Sequence, residues 1–245
     1  MNPLGKVALI NGGARIGRDV AAALAGRGCD LLLTYRNSRE AAEETARRAI
    51  GAGVRAATIR ADAGKEEDVR AAVEEAERTF GRLDILVNMA STYERTPLEE
   101  VDSRTWTEAI GSNAGSVLLF SLAAAPLMRK AGAGRIVNFT DWLPVSGRPR
   151  YSGYTPYYAA KAAVMGLTQS LALEMAPEIL VNAIAPGPIV PPAGSTPEHE
   201  AKVVAVTPLR RWGGGEEIAK AVLFLIETDF VTGECIRVDG GRHLY

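Results

Sequence analysis

The chain has 245 residues, 47% of them hydrophobic, which is enough apolar material for a sizeable buried core. Its formal net charge of −1 excludes a strongly basic surface of the kind that binds nucleic acid or anionic lipid. The two cysteines cannot build a disulfide framework, and the two histidines, far apart in the sequence, argue against a histidine metal site or a Ser-His-Asp triad. No signal-peptide pattern opens the sequence, and the most apolar run, residues 117–128, is too short to cross a bilayer. We therefore expect a metal-free cytoplasmic protein that binds neither nucleic acid nor a membrane.

Short apolar runs alternate with longer segments of helical periodicity along the chain. The runs that predict strands are residues 6–11, 29–35, 54–62, 83–90, 134–140, 178–186 and 233–241. The segments that predict helices are residues 16–28, 38–53, 65–81, 98–112, 113–130, a stretch beginning near 155, and 215–228. This alternation implies right-handed crossovers and a parallel sheet covered on both faces. We predict an α/β protein, with residues 1–245 forming a single Rossmann-like, doubly wound domain of about seven parallel strands.

The interval 186–215 interrupts this rhythm. Five prolines precede Glu198, so the interval is predicted to be mostly loop with one short helix. Long loops in compact domains are usually functional or disordered. We expect a substrate lid over a pocket at the carboxyl ends of the strands, with a tolerated surface insertion as the alternative.

A glycine-rich turn, "NGGARIG" (11–17), lies where the first strand meets the first helix. Glycines let the backbone pass close to a pyrophosphate, and the start of the helix offers unpaired N–H groups to the anion. At the end of the second strand, "TYRNS" (34–38) contains Arg36 and no carboxylate. Because an acid at this point binds the ribose hydroxyls of NAD, and an arginine matches a phosphate, the sequence favours NADP(H).

The stretch "YTPYYAAK" (154–161) places three tyrosines near one lysine. Tyr157 and Lys161 are four residues apart and share one helix face. An ammonium close to a phenol is expected to lower the pKa of the phenol toward the working range, so that Tyr157 can serve as proton donor. Tyr158, three residues before Lys161, remains a geometric rival, and Tyr154 is interpreted as a pocket wall.

Together these motifs resemble the short-chain dehydrogenase/reductase family over essentially the whole chain. The residues that carry the resemblance are the glycine turn, Asp62 in "RAD", "NMAS" (88–91), Asn113 in "GSNAG", Tyr157 with Lys161, and "PG" (186–187). The resemblance implies cofactor contacts from Asn11, Gly12, Arg15, Ile16, Gly17, Tyr35, Arg36, Asn37, Ser38, Asp62, Asn88, Ala90, Tyr157, Lys161, Pro186, Gly187 and Ile189. It also implies catalytic roles for Asn113, Tyr157 and Lys161, with Lys161 holding the nicotinamide ribose as well.

Three departures from the general family pattern resemble its pteridine reductase branch. Asp141 occupies the slot in which most members have a serine, Arg15 precedes Ile16-Gly17 where most have glycine, and Ser91 is followed by the aromatic Tyr93. This resemblance implies a pterin-like substrate between Tyr93 and the nicotinamide. It implies substrate contacts from Arg15, Ser91, Tyr93, Asp141 and Tyr157, and makes Asp141 a catalytic partner of Tyr157 in proton delivery.

We therefore expect an NADPH-dependent reductase of dihydropterin or dihydrofolate-type substrates. A 3-oxoacyl thioester or small-ketone reductase is the alternative, although a carboxylate beside a carbonyl oxygen is a poor oxyanion binder. A non-catalytic NADP-binding regulator is the alternative of another class, since the glycine turn is one residue shorter than usual. The family resemblance also implies a homotetramer.

Overall fold

A seven-stranded parallel sheet forms the centre of the structure, a computed structural model that describes residues 1–192 and 194–244. Its strands are β1 (Val7–Asn11), β2 (Asp30–Tyr35), β3 (Ala56–Arg60), β4 (Ile85–Asn88), β5 (Gly134–Phe139), β6 (Ile179–Pro186) and β7 (Cys235–Val238). They lie in the order β3-β2-β1-β4-β5-β6-β7, and every neighbouring pair is parallel. The predicted fold class, strand number and single-domain architecture are confirmed.

Helices cover both faces of this sheet. They are α1 (Ile16–Ala25), α2 (Arg39–Gly51), α3 (Glu66–Phe80), α4 (Ser103–Ile110), α5 (Ser116–Lys130), α6 (Trp142–Ser146), α7 (Thr155–Met175), α8 (Pro197–Ala205) and α9 (Gly215–Glu227). Helices α1, α2 and α9 pack on one face, and α3, α5 and α7 pack on the other. All residues of β1, β4 and β5 are buried, as expected for runs of apolar residues in the middle of a parallel sheet.

One long helical segment was wrongly predicted as two separate helices. Residues 98–112 and 113–130 were expected to form two helices, but α4 continues into α5 through a five-residue π-helix, Gly111–Gly115. The wider π turn adds a residue without breaking the helix, so no stop signal is present in the sequence. By length and composition alone, the run Ser103–Lys130 could cross a membrane, but half of its most apolar window is buried within the protein, as in a core helix.

Two connections carry short helices that bear on the site. Helix α6 is separated from the end of β5 by two residues and lies in a stretch for which no helix was predicted. In the interval 186–215, α8 is the one short helix that was predicted, and Pro186 itself ends β6. Closure of this interval over a ligand stays a prediction.

Candidate active site

A cavity of about 520 Å³ opens at the carboxyl ends of β1, β2, β4, β5 and β6. It begins where the strand order reverses between β1 and β4, the place where doubly wound sheets bind their ligands. The residues that line it are Asn11, Gly12, Gly13, Ala14, Arg15, Ile16, Thr34, Tyr35, Arg36, Asn37, Ser38, Ala61, Asp62, Ala63, Gly64, Met89, Ala90, Ser91, Thr92, Tyr93, Ser112, Phe139, Thr140, Asp141, Tyr157, Lys161, Pro186 and Gly187.

The glycine turn forms one end of this cavity. Gly12 has a positive φ of 93°, and a side chain there would meet the Ala90 backbone nitrogen at 2.8 Å. A Cβ on Gly17 would lie 2.6 Å from the Gly12 carbonyl oxygen, so the first turn of α1 packs directly on the glycine turn. No side chain caps α1, which leaves the start of the helix open to an anion. These features fit the pyrophosphate of a dinucleotide.

Arg15 holds an uncommon backbone conformation at the start of α1, with φ 51° and ψ −116°. A positive φ is costly for a residue with a side chain. Its guanidinium reaches across the cavity mouth, where Nη2 donates to the Pro191 carbonyl oxygen at 3.4 Å. Arg15 therefore connects the glycine turn to the 186–215 interval.

The end of β2 forms the far wall of the cavity. Arg36, Asn37 and Ser38 all line it there, at the start of α2. Ser38 is the N-cap residue of α2, but its side chain makes no capping hydrogen bond. A second guanidinium is close by, since Arg60 Nε donates to the Arg36 carbonyl oxygen at 3.4 Å. These donors suit a phosphate on the adenosine ribose.

Tyr157, the first residue of the expected catalytic pair, bonds to Asp141 rather than to Lys161. The Tyr157 hydroxyl donates to Asp141 Oδ2 at 2.9 Å, and the Leu143 backbone N–H donates to Asp141 Oδ1 at 2.8 Å. Lys161 Nζ donates to the Phe139 carbonyl oxygen at 2.9 Å and lies 5.9 Å from the centre of the Tyr157 ring.

The pKa values of these three groups follow from burial. Burial raises the pKa of Tyr157 well above its usual value, and the Asp141 carboxylate raises it further. Burial also raises the pKa of Asp141, and it lowers the pKa of Lys161 to about 8. The prediction that a neighbouring ammonium lowers the pKa of the Tyr157 phenol is therefore wrong for this structure, because the carboxylate and not the ammonium is its hydrogen-bond partner.

Tyr93 forms an aromatic wall beside this pair. Its ring stacks on Tyr154 with centroids 4.6 Å apart and meets the Tyr157 ring edge-on at 4.8 Å. Tyr93 is nevertheless 53% exposed, so one side of the aromatic wall faces open space. The wall offers a flat apolar surface next to the Tyr157 hydroxyl.

Ser91 and Asn113 bind each other. The Ser91 hydroxyl donates to Asn113 Oδ1 at 2.7 Å, and Asn113 Nδ2 donates to the Ala109 carbonyl oxygen at 3.0 Å. Asn113 lies in the π-helix between α4 and α5, where the extra residue turns its side chain toward the loop after β4. The Ser91–Asn113 hydrogen bond thus holds that loop against the π-helix.

Most of the predicted site residues line the cavity, and four do not. Those away from its wall are Gly17, Asn88, Asn113 and Ile189. Gly17 packs on the glycine turn, Asn88 is buried and bonded to Asn138, and Ile189 is buried in the core. Thr140, which was not among the predicted residues, also lines the cavity, and its hydroxyl donates to the Lys161 carbonyl oxygen at 2.6 Å. Its position just before Asp141 at the end of a buried strand was the available signal.

Comparison with known proteins agrees with this geometry. The family model described as "Enoyl-(Acyl carrier protein) reductase" matches residues 13–243. The 3-oxoacyl-[acyl-carrier-protein] reductase FabG of Staphylococcus aureus is 35% identical over 245 residues, covering 98% of each chain. The chain belongs to the short-chain dehydrogenase/reductase family. The predicted family is confirmed, and with it an oxidoreductase.

Other members of the short-chain dehydrogenase/reductase family show the same similarity. The oxidoreductase YohF of Escherichia coli (strain K12) is 35% identical over 232 residues, covering 92% of this chain and 90% of YohF. A solved short-chain dehydrogenase/reductase from Serratia marcescens superposes with a TM-score of 0.92 at 31% identity, covering 99% of this chain and 100% of the other.

The lowered pKa of Lys161 predicts a specific pH dependence of stability. Between pH 8 and 10.5 the unfolded chain binds a proton at this lysine that the folded chain has released, so stability should rise with pH through this window. Relative to Lys161→Met, the wild type should gain roughly 3 kcal/mol of unfolding free energy across the window. Urea unfolding of both proteins at pH 7.5 and pH 10.5 measures the difference. A difference that does not change with pH would contradict the lowered pKa.

Proposed function

We propose that this short-chain reductase uses NADPH to reduce a dihydropterin or dihydrofolate-type substrate, with Tyr157 as proton donor. The hydrogen bond from the Tyr157 hydroxyl to Asp141 carries the proposal. The alternative within the family, a 3-oxoacyl thioester or small-ketone reductase, is supported by the 35% identity to FabG and by the family model's description.

The protonation of the Asp141–Tyr157 pair favours a ring nitrogen over a ketone as the proton acceptor. Burial raises the pKa of both groups, so the pair keeps a proton to higher pH than either group would in water. A ring nitrogen that gains electron density needs that proton. In ketone reduction Asp141 would lie beside a developing oxyanion, which costs free energy whenever Asp141 is ionised. NADPH, when bound, would supply the hydride.

The aromatic wall supports a flat substrate. The Tyr93 ring has the rings of Tyr154 and Tyr157 within 5 Å by centroid, and Tyr93 and Tyr157 line the cavity. A heterocycle with ring N–H and amino groups can stack on such a surface while its polar edge binds the Asp141 carboxyl group. A flexible acyl chain cannot stack on the aromatic wall in this way, so the wall contributes less free energy to its binding.

Three features weigh against a non-catalytic NADP-binding regulator. The Tyr157 hydroxyl lies in the cavity wall, its partner Asp141 is held in place by the Leu143 N–H, and Lys161 is buried with its ammonium bonded. A regulator has no need of a buried lysine, whose desolvation costs stability.

The substrate proposal predicts which reaction depends on Asp141. Wild type should oxidise NADPH with dihydrobiopterin, and Asp141→Ser should lower kcat/KM for it by about 100-fold or more, as loss of a general-acid partner does. Asp141→Asn keeps the shape and the N-cap of α6 but loses the titrating proton, so its activity should fall to a similar extent. Stopped assays of NADPH absorbance at fixed pH measure both variants.

The thioester alternative is tested in the same assays. Acetoacetyl thioester is the competing substrate for all three proteins, and Tyr157→Phe gives the background rate. Turnover of the thioester by wild type, with pterin rates at the Tyr157→Phe background, would reject the pterin substrate and favour the 3-oxoacyl reaction.

The cofactor proposal predicts the role of Arg36. Loss of a charge-assisted hydrogen bond to the 2′-phosphate should raise the Kd for NADPH by about 10- to 100-fold in Arg36→Ala and leave the Kd for NADH within about twofold. Arg39→Ala is the matched control, since Arg39 is already paired with Glu43 at 2.7 Å. Nucleotide fluorescence titration measures each Kd. An equal loss for both nucleotides would reject NADP preference.

A cytoplasmic homotetramer is the expected assembly, and exposed apolar side chains support association. Leu122 on α5, Leu173 on α7 and Phe224 on α9 are all more than half exposed. Sedimentation should give four times the 26.0 kDa of one chain. Leu173→Glu should reduce that mass, while Leu209→Glu, at an exposed position in the 186–215 interval, should not. A wild-type monomer at micromolar concentration would reject the assembly.

A further inference from the structure

Four consecutive residues at the end of β5 each make a side-chain-mediated hydrogen bond to α7. The bonds are Asn138 Nδ2 to Thr168 Oγ1 (3.0 Å), Lys161 Nζ to the Phe139 carbonyl oxygen (2.9 Å), Thr140 Oγ1 to the Lys161 carbonyl oxygen (2.6 Å) and the Tyr157 hydroxyl to Asp141 Oδ2 (2.9 Å). As residue numbers rise along the strand, their partners on the helix fall, so strand and helix run antiparallel along this line of bonds.

The helix residues in this line share one face of α7. Tyr157, Lys161 and Thr168 are spaced by four and seven residues, which is close to one and two helical turns. Thr168 lies about 10 Å along the helix from Lys161. It is fully buried, and its own hydroxyl donates to the Val164 carbonyl oxygen at 2.8 Å. Thr168 and Asn138 thus join helix and strand without themselves lining the cavity.

The line continues across the sheet as a row of polar side chains in register. Asn138 is paired in register with Asn88, Asn88 with Asn11, and Asn11 with Thr34. Asn88 Nδ2 donates to Asn138 Oδ1 at 2.9 Å, and the Thr34 hydroxyl donates to Asn11 Oδ1 at 3.2 Å. Between them, Asn11 Nδ2 and Asn88 Oδ1 are a buried donor and a buried acceptor that both lack a partner in the described part of the chain.

Apolar side chains would be the simpler choice at these positions. Amide and hydroxyl groups in a core cost free energy unless they are hydrogen-bonded, and their bonds are directional in a way that apolar contacts are not. An apolar interface fixes a helix only through the fit of its side chains. A row of directional bonds fixes the helix at one height.

We propose that Asn138 and Thr168 are positioning residues that set the height of α7 along β5, so that Tyr157 meets Asp141. Asn138 is also bonded to Asn88 of β4, so the position of α7 is linked to β4 and to the loop after it, which lines the cavity. The proposal rests on the oxidoreductase chemistry of the family and does not depend on the pterin substrate.

The test removes the hydrogen bond between α7 and β5 without changing a residue that lines the cavity. Thr168→Val keeps the side-chain shape and loses both hydrogen bonds, whereas Thr168→Ser keeps them. Thr45→Val is the matched control, because Thr45 is a buried helical threonine whose hydroxyl donates only to the Ala41 carbonyl oxygen of its own helix. Thr168→Val should lower kcat about 10-fold, since small misplacements of catalytic groups cost rate, with KM for the cofactor within twofold. Thr168→Ser should restore kcat.

Comparison with the control separates positioning from stability. Thr45→Val should lose thermal stability without a change in kcat. Crystal structures of the two valine variants give a reading that needs no substrate: the Tyr157 hydroxyl should move away from Asp141 by about 0.5 Å or more in Thr168→Val only. An unmoved Tyr157, or a Thr168→Val protein with wild-type kcat, would overturn the proposal.

Discussion

The reversal of strand order between β1 and β4 is the constraint on which the site depends. Because the connections after β1 and β4 leave in different directions, a crevice opens at the carboxyl end of the sheet. At its base the two connections almost touch, since a side chain on Gly12 would collide with the Ala90 backbone. Every group proposed for catalysis or cofactor binding lies on a strand end, loop or helix that opens onto this crevice. The fold therefore supplies the place, and the residues at the strand ends supply the chemistry.

In this crevice, burial shifts the pKa values of Asp141, Tyr157 and Lys161 more than their interactions with one another do. Residue spacing puts Lys161 and Tyr157 on one helix face, which suggested an ammonium that stabilises a phenolate. In the folded chain the Lys161 ammonium donates to a backbone carbonyl, and the Tyr157 hydroxyl donates to Asp141. Low dielectric surroundings favour the uncharged form of each group, so the pKa values of the two acids rise and that of the lysine falls. The raised pKa keeps the proton on the Tyr157 hydroxyl, which suits a proton donor.

The sequence predicted the elements well because most strands are mainly apolar runs, flanked by glycine, proline or polar residues. It predicted cavity residues where a known motif supplied them, such as Arg36 and Tyr157. It could not predict the π-helix around Asn113, since a π turn has no composition of its own, or helix α6, which is only five residues long. Nor could it predict the row from Thr34 to Thr168, because register between strands depends on the packing of the whole sheet.

Similarity over the whole chain and identity at one position give different information about function. The 35% identity to a 3-oxoacyl-[acyl-carrier-protein] reductase covers 98% of the chain, and it reflects a shared sheet and crevice. Such a scaffold hosts many substrates, because specificity belongs to the few groups that touch the reacting atoms. A hydroxyl in the Asp141 slot can donate a hydrogen bond to an oxyanion at any pH, whereas a carboxyl group can do so only when protonated. In the proposed pterin reaction the proton goes to nitrogen and no oxyanion forms beside Asp141, so that proposal, unlike ketone reduction, does not require Asp141 to be protonated.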